Sequence, residues 1–513
     1  MPKLRIDNRE VEVEAGSTIL DAAAKLGIEI PALCFRAGHV ASTSCMACVV
    51  RVNGAERLVP SCATAAADGM SVESESAEVR EARRTAIELL LSDHTGDCAA
   101  PCETACPAHL EIPRMLRQIA AGRLCEAVET ARRRIPLPAT LGRICPAPCE
   151  KACRRAGHDA AVSICLLKRF AADADFESAD GPRLPACAPP TGKEAAIVGA
   201  GAAGLSAAFF LLLRGHACTL FDSGDKPGGK LRSCVSRERL PEAVLDAEID
   251  AIRRMGADFH LRNRVERAAL AELRGQFGAV LVAAGDAKDD PAGPATGLQA
   301  DRRTLATAAE GIFAAGDAAN PAGKAVRAVA DARAAAESID QYLKGEPVTG
   351  LRRPFSVHAG KLDEAEMAAL LDGASREGRI EPADAARGFS AEEAAREARR
   401  CLRCDCRKAD DCRLREFAER CGARPGRFKG ERRKLLLDAS HASVVYEPGK
   451  CISCGLCVRI AAAAGEPLGL AFVGRGFPVR VAVPFGGTLA EALTKCADEC
   501  VRACPTGALA YKD

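Results

Sequence analysis

Tryptophan is absent from the 513 residues, tyrosine occurs three times, and aromatic residues make up only 4% of the chain. Cores must therefore be built from aliphatic and small side chains, and the abundance of alanine favours helices. No run approaches the roughly 18 consecutive apolar residues of a membrane span, and the opening MPKLRIDNREVEVEAG has no apolar signal core. These absences predict a soluble, cytoplasmic protein with no direct membrane insertion. An excess of one charge is missing too. Lys+Arg 71 against Asp+Glu 69 leaves a formal net charge of +2, which argues against nucleic acid or an anionic membrane as the main partner. The length suggests about three to four domains.

Cysteine is what the chain has in abundance. In a reducing cytosol, 26 thiols without a secretion signal fit metal sites better than disulfides. Their positions agree, since all but Cys125, Cys187, Cys218 and Cys234 fall into five clusters. Those four read as small buried hydrophobes.

The segment EAAIVGAGAAGLSAAFFLLLRGHACTLFD, Glu194 to Asp222, organises the rest. An apolar strand runs into Gly199, Gly201 and Gly204, a helix follows, and a second strand ends on an acid. Gly199 permits a tight turn, Gly201 lets the backbone approach a pyrophosphate at a helix N-terminus, and Gly204 lets helix and strand pack closely. Asp222, 21 positions after Gly201, is placed to bond a ribose hydroxyl. A glycine turn alone would not require strand, helix and acid in this order.

Residues 1–77 open with two short alternating runs and a helix from Ser17 to Leu26, then place Cys34, Cys45, Cys48 and Cys62 with gaps of ten, two and thirteen residues. One loop closed by a distant fourth thiolate suits an iron–sulfur cluster; a zinc ribbon would more often pair two CxxC knuckles. The segment resembles the β-grasp [2Fe-2S] ferredoxin domain that opens the large iron–sulfur subunit of respiratory complex I and iron-only hydrogenases.

Residues 78–190 read as helices, EVREARRTAIELLL and IPRMLRQIAAGRLCEAVETARRR, with proline-rich breaks. They carry His94, Cys98, Cys102 and Cys106, then Cys145, Cys149, Cys153 and Cys165. LLLSDHTGDC resembles the start of the His-plus-three-Cys site of the complex I subunit. CETACPAHLEIP and GRICPAPCEKAC resemble the two-cluster [4Fe-4S] domain of the glutamate synthase small subunit and dihydropyrimidine dehydrogenase. That likeness implies two clusters on eight ligands, although Cys98 and Cys102 are separated by three residues and Cys165 lies near, not on, the family's Gln or Glu ligand. His94 reads either as a ligand or as a surface histidine in a turn.

Residues 191–347 resemble the flavin domain of the same small-subunit family. The likeness implies FAD, with Gly228 and Gly229 passing close to the isoalloxazine and Asp317 on the ribityl chain. It also places Gly285 and Gly316 at two strand ends, and a helix after Ala322 with its N-terminus toward the flavin pyrimidine edge, where a positive dipole would stabilise an anionic ring. Independently of the family, Pro241, an apolar stripe and Gly256 predict a helix. In the family a second dinucleotide fold for NADPH is inserted between the last two strands. Here about 30 residues separate Gly285 from Gly316, too few for several strand–helix units, and no second fingerprint occurs.

Residues 348–440 are expected to form a charged helical connector in which SAEE at Ser390 is a capping box. Cys401, Cys404, Cys406 and Cys412 are candidate ligands of a further [4Fe-4S] cluster, with Cys421 spare; a zinc site or a redox-inert helix end is the alternative. Residues 441–513 resemble a bacterial ferredoxin, with Cys451, Cys454 and Cys457 taking Cys504 as fourth ligand. Ala461 replaces the next cysteine, so one cluster is expected there.

The predicted architecture is thus multidomain, α/β and α+β. It combines a [2Fe-2S] ferredoxin, a helical two-cluster domain, a Rossmann-like FAD domain, a helical connector and a ferredoxin-like end, with one [2Fe-2S] and three to four [4Fe-4S] clusters. No acid–base catalytic residue stands out. The expected function is electron transfer between FAD and the clusters, within a complex that includes an NADH-, formate- or hydrogen-oxidising subunit or an acceptor reductase. The alternative is a self-contained FAD oxidoreductase reducing a small acceptor.

Overall fold

The structure, a computed structural model, describes every residue except 179–181, 287, 289–292, 296, 322, 353, 429, 477 and 513. It divides into two compact units. Unit 1 comprises Met1–Ala99, Pro354–Gly373 and Cys404–Asp513; unit 2 comprises Ala100–Arg353 and Ala374–Arg403. The 348–440 segment is therefore divided between both units, 374–403 joining the middle of the chain and 354–373 and 404–440 joining its two ends.

In unit 1 the N-terminal strands form a five-stranded mixed sheet in the order Arg9–Glu12, Lys3–Ile6, Ser71–Glu73, Val49–Val52, Val59–Pro60. Thr18 and Asp21 form a reciprocal capping box that starts the helix Ile19–Lys25, satisfying N–H groups that the first turn would leave open. That helix buries Ile19, Ala22 and Ala23 against Leu4, Ile6, Val50 and Val72. At the other end, Val444–Tyr446 pairs antiparallel with Leu509–Tyr511. The helices Leu456–Ala463 and Ala497–Ala503 close a core of Val444, Ile460, Leu470, Leu489 and Val501.

Unit 2 holds a five-stranded parallel sheet in the order Ile312–Ala314, Ala279–Val282, Glu194–Val198, Ala217–Phe221, Ala257–His260. The central strand Glu194–Val198, beyond Glu194, and its neighbour Ala279–Val282 are buried throughout, as a covered parallel sheet requires. The helices Ala202–Leu213 and Ala325–Leu343 pack on each other through Ala207, Ala208, Ala332, Ala335 and Ala336, all fully buried. Alanine at these positions lets the helices approach closely, which is how a chain without tryptophan fills this core. Ala322 lies outside the described residues, and the helix expected after it begins at Ala325.

Three expectations change. The run from Ile112 to Arg134 is two helices, Ile112–Ala120 and Leu124–Arg132, because Gly122 takes a φ of 72° in the turn between them. The sequence periodicity is continuous there, but a left-handed glycine ends the first helix. Of the four isolated cysteines only Cys218 is buried; Cys125, Cys187 and Cys234 are exposed, since each falls on the outer side of its segment. The predicted connector is not one body. The Ser390 capping box does form, with Glu393, and opens the helix Ala391–Ala398.

Candidate functional site

The glycine loop of unit 2 is shaped by what side chains would obstruct. A Cβ on Gly199, whose φ is 106°, would lie 2.5 Å from the Ala283 carbonyl oxygen, and one on Gly204 would lie 1.8 Å from that of Gly199. Strand, turn and helix therefore close only with glycine at both positions. Gly201 caps the helix Ala202–Leu213, leaving first-turn N–H groups and the positive helix end directed at the loop. Gly229 faces it from the following turn, where an added Cβ would stand 3.1 Å from the Gly201 Cα. Two bare backbones facing one another form a cradle of the kind a pyrophosphate needs.

Asp222 secures this loop. Its Oδ2 accepts from the Ala200 N–H at 2.6 Å and its Oδ1 from the Gly224 N–H at 2.8 Å. Gly228 donates to the Ala200 carbonyl at 2.8 Å. Gly316, with φ 64°, abuts the start of the same helix, where its Cβ would be 2.9 Å from that of Ala203. Asp317 accepts from the Gly323 N–H at 3.1 Å and pairs with Lys230 at 2.9 Å. Lys230 also approaches Gly285. Lys230 was not singled out from sequence, because its partner lies 87 positions away.

The thiols gather in separate places. In the N-terminal loop Cys34, Cys45, Cys48 and Cys62 are all buried, and the Cys48 and Cys62 sulfurs are 3.4 Å apart. Hydrogen bonds from Cys45 and Cys62 hold the Cys34 thiol far below its ordinary value, while the same contact with Cys34 pushes Cys45 up. This is a set that shares protons, because four thiolates so close cannot all ionise without a cationic body between them. The donor set suits a [2Fe-2S] cluster.

In the C-terminal part Cys451, Cys454, Cys457 and Cys504 line one apolar cavity together with Tyr446, Val481 and Pro505. The Ser453 N–H points at the Cys451 sulfur at 3.4 Å. Cys496 and Cys500 form their own contact at 3.8 Å, and Ala461 is buried in the core. The distant Cys-Pro thus reaches the first three thiols, and Cys500 of the second motif lies beside them, its sulfur 3.8 Å from the Cys457 carbonyl oxygen. The two loops of unit 1 also touch: Arg459 reaches the Cys34 carbonyl at 3.4 Å and the Cys454 carbonyl at 3.5 Å, and it bonds Ser42. Sequence offers no signal for this bridge.

In unit 2 Cys145 contacts Cys165, which contacts Cys149. Glu150 holds the Cys165 N–H at 2.9 Å. These thiols and Cys106 surround the buried Lys168, whose pKa burial lowers but whose thiol neighbours raise it overall. Cys102 lies in the short helix Pro101–Ala105, which packs on Pro148–Lys151, and Cys153 follows that second helix. Cys401 belongs to unit 2, whereas Cys98, Cys404, Cys406 and Cys412 belong to unit 1. Neither His94–Cys106 nor Cys401–Cys412 therefore stays within one unit.

Among the described residues, no three or more His, Cys, Asp or Glu side chains are arranged to hold a single metal ion. A single ion draws every ligand toward one point at about 2.3 Å for sulfur.

Comparison with known proteins finds three matching domain models. Residues 2–77 match the model of a 2Fe-2S iron-sulfur cluster binding domain. Residues 73–180 match that of dihydropyrimidine dehydrogenase domain II, 4Fe-4S cluster, and residues 197–267 that of an NAD(P)-binding Rossmann-like domain. Iron–sulfur domain models thus account for residues 2–180 and a dinucleotide-binding model for residues 197–267. It is 38% identical over 198 residues to the NADPH-Fe(3+) oxidoreductase subunit beta of Geobacter sulfurreducens (strain ATCC 51573 / DSM 12127 / PCA), covering 38% of this chain and 29% of that one. It is 38% identical over 189 residues to the NAD-dependent dihydropyrimidine dehydrogenase subunit PreT of Escherichia coli (strain K12), covering 36% and 45%. Against the glutamate synthase [NADPH] small chain of Bacillus subtilis (strain 168) it is 35% identical over 204 residues, covering 37% and 41%. The chain thus spans less than half the length of these curated relatives. No described helix is long and apolar enough to cross a membrane.

Proposed function

We propose that this chain is an FAD-holding iron–sulfur electron-transfer subunit of a larger oxidoreductase, without a nicotinamide site of its own. The observation that carries the reading is the direct parallel pairing of Ala279–Val282 with Ile312–Ala314. Only the short stretch from 283 to 311 joins them, too little for an inserted dinucleotide fold. The glycine cradle is then assigned to FAD, with Gly201 and Gly229 against the pyrophosphate and Asp222 fixing the loop. The pair Lys230–Asp317 lies beside Gly285 and Gly316. FAD supplies exchange between paired and single electrons.

Thiol sets in both units supply candidate ligands for carrying single electrons away. Two of the relatives are themselves named as subunits, which supports a partner that delivers or receives electrons: an NADH-, formate- or hydrogen-oxidising subunit, or an acceptor reductase. A cytoplasmic setting suits the reduced thiols. Anaerobically purified protein should show an FAD spectrum that dithionite bleaches and that NADH or NADPH bleaches only slowly. Rapid bleaching by either nucleotide would overturn the reading.

A second reading is favoured by one observation, the match of residues 197–267 to an NAD(P)-binding domain. On that reading the cradle holds the nicotinamide nucleotide itself. Extraction of the bound nucleotide and its identification by mass separates the two.

A further inference from the structure

Cys98 and the pair Cys406 and Cys412 converge within unit 1. The Cys406 N–H is directed at the Cys98 carbonyl at 3.5 Å, and the Cys98 N–H at that of Val357 at 3.2 Å. Cys98 and Cys412 pack against one apolar cluster with Val357, Leu414 and Phe417. The Cys412 sulfur lies 3.8 Å from the Pro505 carbonyl oxygen, to which the Leu414 N–H donates at 3.1 Å. Cys406 is buried and its sulfur rests on Gly507, where any Cβ would come within 2.3 Å of it. Electrostatic coupling runs among all three thiols.

The histidine segment is fastened to the same place. Thr95 donates to the Gly449 carbonyl at 2.8 Å. The Lys450 side chain then runs between Gly96 and Gly507, 2.7 Å and 3.6 Å from where their Cβ atoms would be. Lys450 is buried, pairs with Glu447 at 2.6 Å and interacts with both His94 and Cys406. The His94 Nδ1 is sealed from solvent and has no hydrogen-bond partner among the described residues. A buried ring nitrogen without a partner is costly unless something else binds it.

We propose that His94, Cys98, Cys406 and Cys412 hold one [4Fe-4S] cluster, a site assembled from two stretches between which the whole flavin-type fold is inserted in the sequence. The proposal deepens the electron-transfer reading by replacing two sets of ligands consecutive in sequence with one that only folding brings together. Zinc would use the same donor types, and counting iron against zinc separates the two. The site has one ligand for each iron of a cubane. It also explains why Cys98 stands apart from Cys102 and Cys106, which belong to the other unit.

The test uses the full chain, purified anaerobically, with iron, zinc and labile sulfide counted. Cys98→Ser, Cys406→Ser and Cys412→Ser should each lose the same cluster, about four iron ions per chain, and the Cys98→Ser/Cys406→Ser double variant should lose no more. Losses that add in the double variant, or full iron in Cys406→Ser, overturn the proposal, as does zinc in place of iron. The [2Fe-2S] signal serves as the folding control. Should the serine variants lose that signal too, His94→Cys keeps four ligands. Its iron content should stay unchanged while a histidine nitrogen coupling, present in pulsed EPR of the native chain, disappears; persistence of that coupling, or its absence from the native chain, overturns the assignment. Native protein with full iron that reacts rapidly with NADPH would sink the flavin reading and leave this one standing.

Discussion

The Ser42 hydroxyl donates to the carbonyl of Cys454 at 3.1 Å, across 412 positions of sequence. It ties the loop of the N-terminal thiols to the first cysteine motif of the C-terminal part, and Arg459 binds the carbonyl of a cysteine in each. A cation bonded to both loops stabilises the reduced, more negative form of whatever they hold. Arg459→Met should therefore lower the midpoint potential of at least one of the clusters proposed for these two loops, because net charge near a cluster sets its potential. It should also cost about 1.5–3 kcal/mol for hydrogen bonds to a charged group. EPR-monitored redox titration reads the first effect; unchanged potentials at both clusters would refute it.

Gly204→Ala forces a methyl group into the Gly199 carbonyl. Overpacking of this kind costs about 1–3 kcal/mol, and here the strain falls on the cradle itself. Purified variant protein should carry little or no bound dinucleotide while its iron content stays near native. Native occupancy, read by absorbance and extraction, would show that the loop tolerates the change.

Glu248 gives unit 2 a pH dependence. Its carboxylate accepts the N–H groups of Ala139 and Thr140 at 2.7 Å and 2.9 Å, yet burial dominates and lifts its pKa from 4.5 to about 7. The folded state then binds the proton more tightly than the unfolded state, so stability falls as pH rises from about 4.5 to 7, by at most about 3 kcal/mol. Chemical denaturation across that range, compared with Glu248→Gln, isolates the contribution. Equal slopes for both proteins would exclude it.

Arg400 fastens the 374–403 segment within unit 2. Fully buried, it bonds the Glu377 carbonyl at 3.0 Å, the Ala160 carbonyl at 2.8 Å, Asp159 at 3.1 Å and Glu397 at 2.9 Å. Removing one partner from a buried charge network costs about 3–5 kcal/mol. Arg400→Met should therefore lower the denaturation midpoint and open the 374–403 segment to protease. Native protease resistance would show that apolar packing there suffices.

Local chemistry wrote much of this protein directly into its sequence. The glycine fingerprint, the capping box at Ser390 and the CxxC loops depend on neighbours a few residues apart, so spacing alone reveals them. The meeting of Cys504 with the Cys451–Cys457 motif was legible from the resemblance to a bacterial ferredoxin, in which three close thiolates take a distant Cys-Pro as fourth ligand. Tertiary structure alone decided which distant segments share a unit. The pairing of Cys98 with Cys406, the Ser42 and Arg459 bridge, the ion pair Lys230–Asp317 and the division of the 348–440 segment all join residues far apart in the chain. Burial of apolar surface selects those partners, and the spacing of residues along the sequence carries no record of that selection.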